Sequence, residues 1–472
     1  MLVWKARTEI CGQEMKLDFS SYPVRNRAFS EQAMTILDHE PKAALSAIVE
    51  MALIETGNPT AREYWQQAQL RNLLKHVSQR SAFWRKRIGE RKTSDIELAS
   101  LPILTRLDVR DQVAAEGALL RAADGIPIKT HATSGSTGTP VQFYVSSINA
   151  QYTSVRSNAQ FFIEGLDISF NRTRIKPAGG PIKDGYTVEQ NPSYMGPLAP
   201  LFRSGANKHI EYLNPDFKKL LSELERNDIG YLVCAPRFLE SMFSMFDPIF
   251  LKRAKAKMWF SLAQGVSSDM AKIFADLEIP IRANYSSEEV GPIGFECAAY
   301  PGHYHVATSN VVTEVVDASY SIDGVQHGKV LVTHLHSYAT PFVRYDLGDL
   351  ACLSENCPCG HQGPTIHNLH GKIGSIVKHR DGRISPFRIR GRELTSLVKF
   401  TEYRIRQTDF EKLVVEIGGR SELSSDEIGA IARFLKDRVG QEFEVTIHAC
   451  PEINWGENRK KDAYRCEVAL SK

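Results

Sequence analysis

The sequence predicts a protein of mixed α/β and α+β class: a large N-terminal domain of mixed sheets and helices, then a small C-terminal α+β domain. Three observations lead there. The chain has 472 residues, which suggests two or three domains at about 150 residues each. Across the middle of the chain, apolar runs of strand length alternate with helical patterns. From about residue 400 onward the pattern reads strand, strand, helix, strand, a unit of ordinary domain size.

Residues 41–56 carry apolar side chains at helical spacing, with Pro41 near the start. Residues 64–77 form a stronger amphipathic helix, followed by the turn Ser81-Ala82-Phe83-Trp84-Arg85 and by Leu101-Pro102-Ile103-Leu104-Thr105-Arg106, which leads to another helix. Residues 126–130 and 141–145 read as strands on either side of a small polar loop, and residues 147–165 as a helix behind it. Residues 171–212, rich in Gly, Pro and Asn, read as irregular. A buried strand covers 228–236, a helix starts at Phe238, and strands follow at 258–263 and 279–284. Residues 377–384 read as a hairpin with an Asp381-Gly382 turn. In the tail, residues 401–406 and 412–417 are strands. Ser424 or Ser425 caps a helix running to about Val439, and residues 442–449 are a third strand.

Composition narrows the function. The net charge of +3 is small and mixed in sign, which gives no reason to expect nucleic acid or an acidic membrane surface as partner. The first twenty or so residues lack a signal-peptide core. No stretch approaches the roughly 18 uninterrupted apolar residues of a membrane span. The expectation is a soluble, cytoplasmic protein. Eight cysteines in so long a chain are not a disulfide framework, but Cys357 and Cys359 sit together.

The most informative stretch is Thr133-Ser134-Gly135-Ser136-Thr137-Gly138-Thr139-Pro140. A loop this small and hydroxyl-rich can wrap its N–H groups and hydroxyls around phosphate oxygens. It has no lysine, and two strands flank it, so it is not the GxxxxGK[ST] loop. On composition alone it also fits a polar hairpin loop. It resembles the phosphate loop of the adenylate-forming superfamily (acyl-CoA synthetases, nonribosomal adenylation domains, luciferases). The nearest resemblance is to the phenylacetate–CoA ligase-like branch, which includes the CapK-like proteins.

That resemblance continues in order along the chain from about Tyr64. Gly265 stands where the family has a glycine turn passing near adenine. Asn284-Tyr285-Ser286-Ser287-Glu288-Glu289-Val290-Gly291 resembles the family's YGxTE segment. Tyr285 would lie against adenine and Glu289 would hold the magnesium that neutralises the phosphates. Ser286 replaces the usual glycine and Glu288 the usual Ser or Thr, which could draw magnesium toward Glu288. Pro341-Phe342-Val343-Arg344-Tyr345-Asp346-Leu347-Gly348-Asp349 resembles the segment whose last carboxylate accepts the ribose hydroxyls, here Asp349. Arg344 is expected to be a structural or phosphate-side cation. Gly371-Lys372-Ile373-Gly374-Ser375 stands at the family's hinge. Lys372 there replaces an arginine without its bidentate fork, and the usual hinge aspartates are absent. The implied division is a large ATP- and acyl-binding domain over residues 1–372 and a small mobile lid over 373–472. Lys460 and Lys461 are both candidates for the lid lysine that reaches the reacting carboxylate and α-phosphate.

Cys357-Pro358-Cys359-Gly360 is a C-x-C turn, and Cys297, His303 and His305 lie upstream. Together they supply enough ligands for a closed tetrahedral Zn²⁺ site. Some members of the resembled branch carry a structural zinc between these two regions. The expected set is Cys297, His303, Cys357 and Cys359, with His305 as the substitute ligand.

The resemblance implies an enzyme that uses ATP and Mg²⁺ to convert a small carboxylic acid, aromatic by analogy, to an acyl-adenylate. The acyl group would pass to a thiol, coenzyme A first. Amide, ester or acyl-protein formation is the first alternative. A zinc-stabilised nucleotide-binding protein without catalysis is the second. A homodimer is the commonest assembly for such a chain.

Overall fold

A computed structural model describes residues 39–120, 124–132, 141–178, 185–262, 265–322, 324–372, 376–387, 393–394, 396–455 and 463–468. The helices α1 (His39–Thr56), α2 (Pro59–Arg80), α3 (Ala82–Ile88) and α4 (Arg106–Glu116) open it. Asn58 starts α2 by accepting from the Thr60 and Ala61 N–H groups, and Pro59 occupies the first turn, where a missing N–H costs nothing. Leu70, Leu73, Leu74 and Val77, at helical spacing, are its buried stripe. Thr105 and Asp108 form a capping box for α4.

Strands β1 (Ile128–Ala132) and β2 (Gln142–Ser146) pair antiparallel on either side of the glycine-rich loop, and α5 (Ser147–Ile163) follows. Then come β3 (Arg172–Pro177), β4 (Gly185–Asn191), β5 (Asn207–Leu213), α6 (Phe217–Arg226), β6 (Gly230–Cys234), α7 (Pro236–Phe243), α8 (Phe250–Arg253), β7 (Ala256–Leu262), α9 (Ser268–Asp276) and β8 (Ile281–Ser287). The region 171–212, expected to be irregular, holds three strands of the main sheet. Its strands hide behind charge: in β3 only Thr173 and Ile175 are buried, and Arg172, Arg174 and Lys176 alternate with them. The remaining strands of the large sheet are β9 (Gly291–Glu296), β10 (Tyr304–Val306), β11 (Val311–Ile322), β12 (Val325–His334), β13 (Tyr345–Ser354) and β14 (Thr365–Lys372).

The order of this twelve-stranded sheet is β11-β12-β13-β14-β10-β9-β8-β7-β6-β3-β5-β4. From β8 to β5 the neighbours run parallel, with helices α6 to α9 in the connections that lead from β5 to β8. From β8 to β11 they run antiparallel. One core lies under the antiparallel half and α2, built on Leu73, Leu74, Phe143, Ile293, Val332 and Phe342, and a second lies between the parallel half and helices α6 to α9. A buried ion pair, Arg156 with Glu55 at 2.5 Å, ties α5 to α1, and Ser309 also donates to Glu55.

Beyond residue 375 a hairpin of β15 (Ile376–Lys378) and β16 (Ile384–Pro386) is followed by β17 (Glu402–Asp409), β18 (Lys412–Gly418), α10 (Ser425–Val439), β19 (Glu444–Cys450) and β20 (Tyr464–Cys466). Gly382, at φ +85°, makes the expected hairpin turn. Ser424, not Ser425, caps α10, with Glu427 completing the box. The sheet β19-β18-β17-β20 and α10 enclose their own core around Val415, Ile417, Ile431, Leu435 and Phe443. The mixed α/β and α+β class expected from the sequence is the one observed. No described helix is long and apolar enough to cross a membrane.

Candidate active site and a cysteine–histidine cluster

Tyr285 lies near the end of β8 and Asp349 in the middle of β13, four strand steps apart in the sheet. In a flat sheet that is about 19 Å. Here the Tyr285 hydroxyl donates to Asp349 Oδ2 at 2.7 Å, so the sheet curls until its two halves face each other. Both residues are buried, at 9% and 6% exposed. Burial and then the adjoining carboxylate hold the Tyr285 phenol well above its ordinary pKa, so it stays a neutral donor. Gly294 lies opposite Tyr285. A Cβ there would meet Tyr304 Cβ at 3.1 Å, and its absence lets the Tyr304 ring sit edge-on to Tyr285.

The turn after β8 carries the two adjacent glutamates and separates them. Glu289 accepts from the Tyr345 hydroxyl at 3.0 Å, whereas Glu288 and Ser286 are exposed. Burial, and then Glu289, push the Tyr345 phenol far up its range. Asn310 holds the same turn from below: its amide donates to the Val290 carbonyl at 3.0 Å and the Pro292 carbonyl at 2.7 Å. Tyr345 and Asn310 were not singled out from sequence. Tyr345 stands inside a named motif; Asn310 stands in none.

Ser134, Gly135, Ser136, Thr137, Gly138 and Thr139 lie outside the described residues, as do Lys460, Lys461 and the hinge positions 373–375. The stem of the glycine-rich loop is described. Tyr144 N–H donates to Thr340 Oγ1 at 2.9 Å, and Phe143 packs edge-on against Phe342 at 5.7 Å. The strand leaving the loop therefore rests on the segment that enters β13. Lys372 ends β14 with its backbone opposite Asp349, and its side chain is outside the described set. Gly265 follows β7 in open space, with nothing within 4 Å of where a Cβ would stand, so packing does not demand glycine there.

Arg344 is a strut. It pairs with Glu314 at 3.0 Å and donates to the carbonyls of Ala99 and Leu101. Leu104 and Tyr345 form a parallel bridge beside it, so residues 99–104 are clipped onto the start of β13. Of the two roles expected for Arg344, the structural one is observed.

The donor atoms of Cys297, His305, Cys357 and Cys359 all lie within 4.8 Å of one another. Cys359 Sγ is 3.4 Å from His305 Nε2. This corrects the expected ligand set: His305, rather than His303, faces the three thiols. Both rings start on the same face of the strand. The register of β10 on β14 aligns Tyr304 with Ile366 and His305 with Thr365, which leaves His303 beside His367, and those two rings stack at 5.4 Å. His305 instead stacks on His361 of the C-x-C turn at 4.1 Å. Burial holds His305 below its usual pKa, and burial pushes the Cys357 thiol up to about 12. A neutral imidazole is ready to bind a metal, and the thiols would release protons on doing so. A tetrahedral Zn²⁺ with Zn–S near 2.3 Å needs donors roughly 3.5–4 Å apart, which this donor set meets with small rotations.

No protein-family model and no curated protein matches the chain. Solved structures do. A 2-hydroxyisobutyryl-CoA ligase in the postadenylation state with R3-HIB-AMP superposes with TM-score 0.60 at 16% identity, over 88% of this chain and 91% of that one. The same enzyme with 2-HIB-AMP and CoA in the thioesterification state gives TM-score 0.54 at 16% identity, over 88% and 92%. The GH3.15 acyl acid amido synthetase gives 0.50 at 13% identity, over 86% and 89%. At these identities the likeness establishes that the chain has the fold of these ligases.

Proposed function

We propose that this protein is an ATP-dependent ligase that activates a small carboxylic acid as its acyl-adenylate and transfers the acyl group to a thiol, coenzyme A first. The observation that carries the reading is the Tyr285–Asp349 hydrogen bond: it joins an aromatic ring and a carboxylate, donated by distant strands, in one buried pair. Tyr285 would offer its ring to adenine while its hydroxyl orients Asp349. The remaining carboxylate lone pairs would accept the vicinal ribose hydroxyls. Glu289, fixed by Tyr345, and the exposed Glu288 would hold Mg²⁺ over the phosphates gathered by Ser134 to Thr139. Lys460 or Lys461 would bring a cation to the carboxylate attacking the α-phosphate, where charge collects in the transition state. ATP supplies the activation, because AMP leaves an acyl carbon far more readily than hydroxide does. We read residues 1–372 as the large domain, residues 373–472 as the lid, and an aromatic acid as the substrate class by analogy.

Cys297, His305, Cys357 and Cys359 would hold a structural Zn²⁺. Four protein donors leave no open position, so the ion would brace the fold rather than act on substrate.

A second reading has its own support. An acyl acid amido synthetase shares this fold, so an amine could stand where the thiol does. Carboxylate-dependent ATP–pyrophosphate exchange over aryl, arylacetic and aliphatic acids tests the shared half-reaction. One acid should support exchange, and Asp349→Ala should abolish it. ATP binding without exchange on any acid would sink the enzyme reading. Product analysis with CoA against a set of amino acids then separates thioester from amide.

A further inference from the structure

Between Asp349 on β13 and Tyr285 on β8 the large sheet passes through its narrowest strand, β10, which divides it into a half ending at β14 and a half beginning at β9. β10 is three residues long, and its pairing with β14 consists of Tyr304 with Ile366 and His305 with Thr365, the shortest pairing in the sheet among the described residues. A backbone hydrogen bond is worth only about 1 kcal/mol net, so so short a ladder sets the angle between the halves weakly. Yet that angle brings Tyr285 on one half to Asp349 on the other.

The cysteine–histidine cluster lies at the same strand. Cys297 follows β9, His305 is on β10, and Cys357 and Cys359 belong to the turn joining β13 to β14. Alternation along the strands puts His305 and Phe295 on the face opposite Tyr285, Gly294 and Tyr304. The cluster thus spans the seam from outside, while the Tyr285–Asp349 pair spans it from inside. Helix α2 steadies the outer side: Arg62 donates to the Gln362 carbonyl at 2.6 Å, next to the His361 ring that covers His305.

We infer that a metal ion held by Cys297, His305, Cys357 and Cys359 rivets this seam and sets the curl of the sheet, so that metal occupancy controls nucleotide affinity through the Tyr285–Asp349 bond. The inference rests on the metal and nucleotide readings above. The four ligands are positioning residues and none of them lies in the nucleotide pocket. The coupling is reciprocal: AMP must tighten metal retention by the factor by which the metal tightens AMP.

The experiment uses the full chain. Metal content is measured by elemental analysis and AMP affinity by calorimetry for the wild type, Cys359→Ser, Tyr285→Phe and the double variant. The wild type should carry one zinc equivalent that Cys359→Ser loses. AMP binding should weaken about ten-fold in Cys359→Ser and at least as much in Tyr285→Phe. The double variant should be no worse than the weaker single variant, because both changes break one linkage. Effects that multiply would overturn the inference although both sites exist. A second measurement needs no variant: zinc withdrawal from the wild type by a chelating indicator should become about ten-fold harder with saturating AMP, and no change would overturn the inference. A wild type without metal defeats the metal reading, and AMP binding untouched by Asp349→Ala defeats the nucleotide reading. Each of these is distinct from multiplicative effects, and either removes the inference with it.

Discussion

Tyr345 links two segments that are far apart in sequence. Its backbone bridges Leu104 and its hydroxyl donates to Glu289. Removing that hydroxyl leaves the Glu289 carboxylate free to turn, and a hydrogen bond to a charged group is worth about 1.5 kcal/mol or more. Tyr345→Phe should therefore raise the Mg²⁺ concentration needed for half-maximal exchange about ten-fold or more and leave the acid's KM unchanged; an unaltered Mg²⁺ dependence would remove Glu289 from the metal site. Glu289, Tyr285 and Asp349 could be named from sequence because motif order carries chemistry with it. Asn310 and the phenol of Tyr345 could not. Their work is defined by partners some 20 and 56 residues away, which only the fold brings near. His303 and His305 are equivalent by spacing, and the register of β10 chose between them.

At the scale of elements, the segment 99–104 has no secondary structure to announce it beyond a short turn, yet it anchors the strand that carries Asp349. Arg344 does the anchoring, with its guanidinium shared between the half-buried Glu314 and two carbonyls. Arg344→Ala would strand Glu314 without its partner and leave both carbonyls short of a donor. A loss of about 3 kcal/mol is expected in denaturant unfolding; a loss under about 1 kcal/mol would mean the clip is incidental. The amphipathic α2, a cap at Ser424 or Ser425 and the Asp381-Gly382 turn could all be read in advance, because each depends on neighbours within one or two turns. The strands β3, β4 and β5 could not. They lie toward one side of the sheet, where β3 and β5 bury two side chains each and β4 none, and where polar and charged residues mask the apolar period.

At the scale of the whole molecule, folding buries groups that titrate. His334, fully enclosed, is driven by burial, and then by neighbouring His336, down to about 3. Its unfolded value is near 6.5, so below that pH the unfolded chain takes up a proton that the native chain refuses. Its contribution to stability is full above pH 6.5 and falls as pH drops toward 3, by about 1.4 kcal/mol per pH unit. Glu164 works in the opposite sense: burial raises it to about 7, so its effect favours the native state below pH 4.5 and is lost as pH rises through 7. The difference between wild type and His334→Leu isolates the contribution of His334. The variant should lose less stability than the wild type between pH 6.5 and 5, and parallel curves would mean that His334 is protonated in the native state. Sequence by itself determined the class of fold, the order of its motifs and the existence of a cysteine–histidine group, and it pointed to Tyr285, Glu289 and Asp349 as candidates for the site, because these depend on local pattern and on residue chemistry. Tertiary structure alone decided which histidine joins that group, that Arg344 braces rather than binds, and that Tyr285 meets Asp349. Those outcomes follow from strand register and sheet curl, which arise from pairing between residues far apart in the chain.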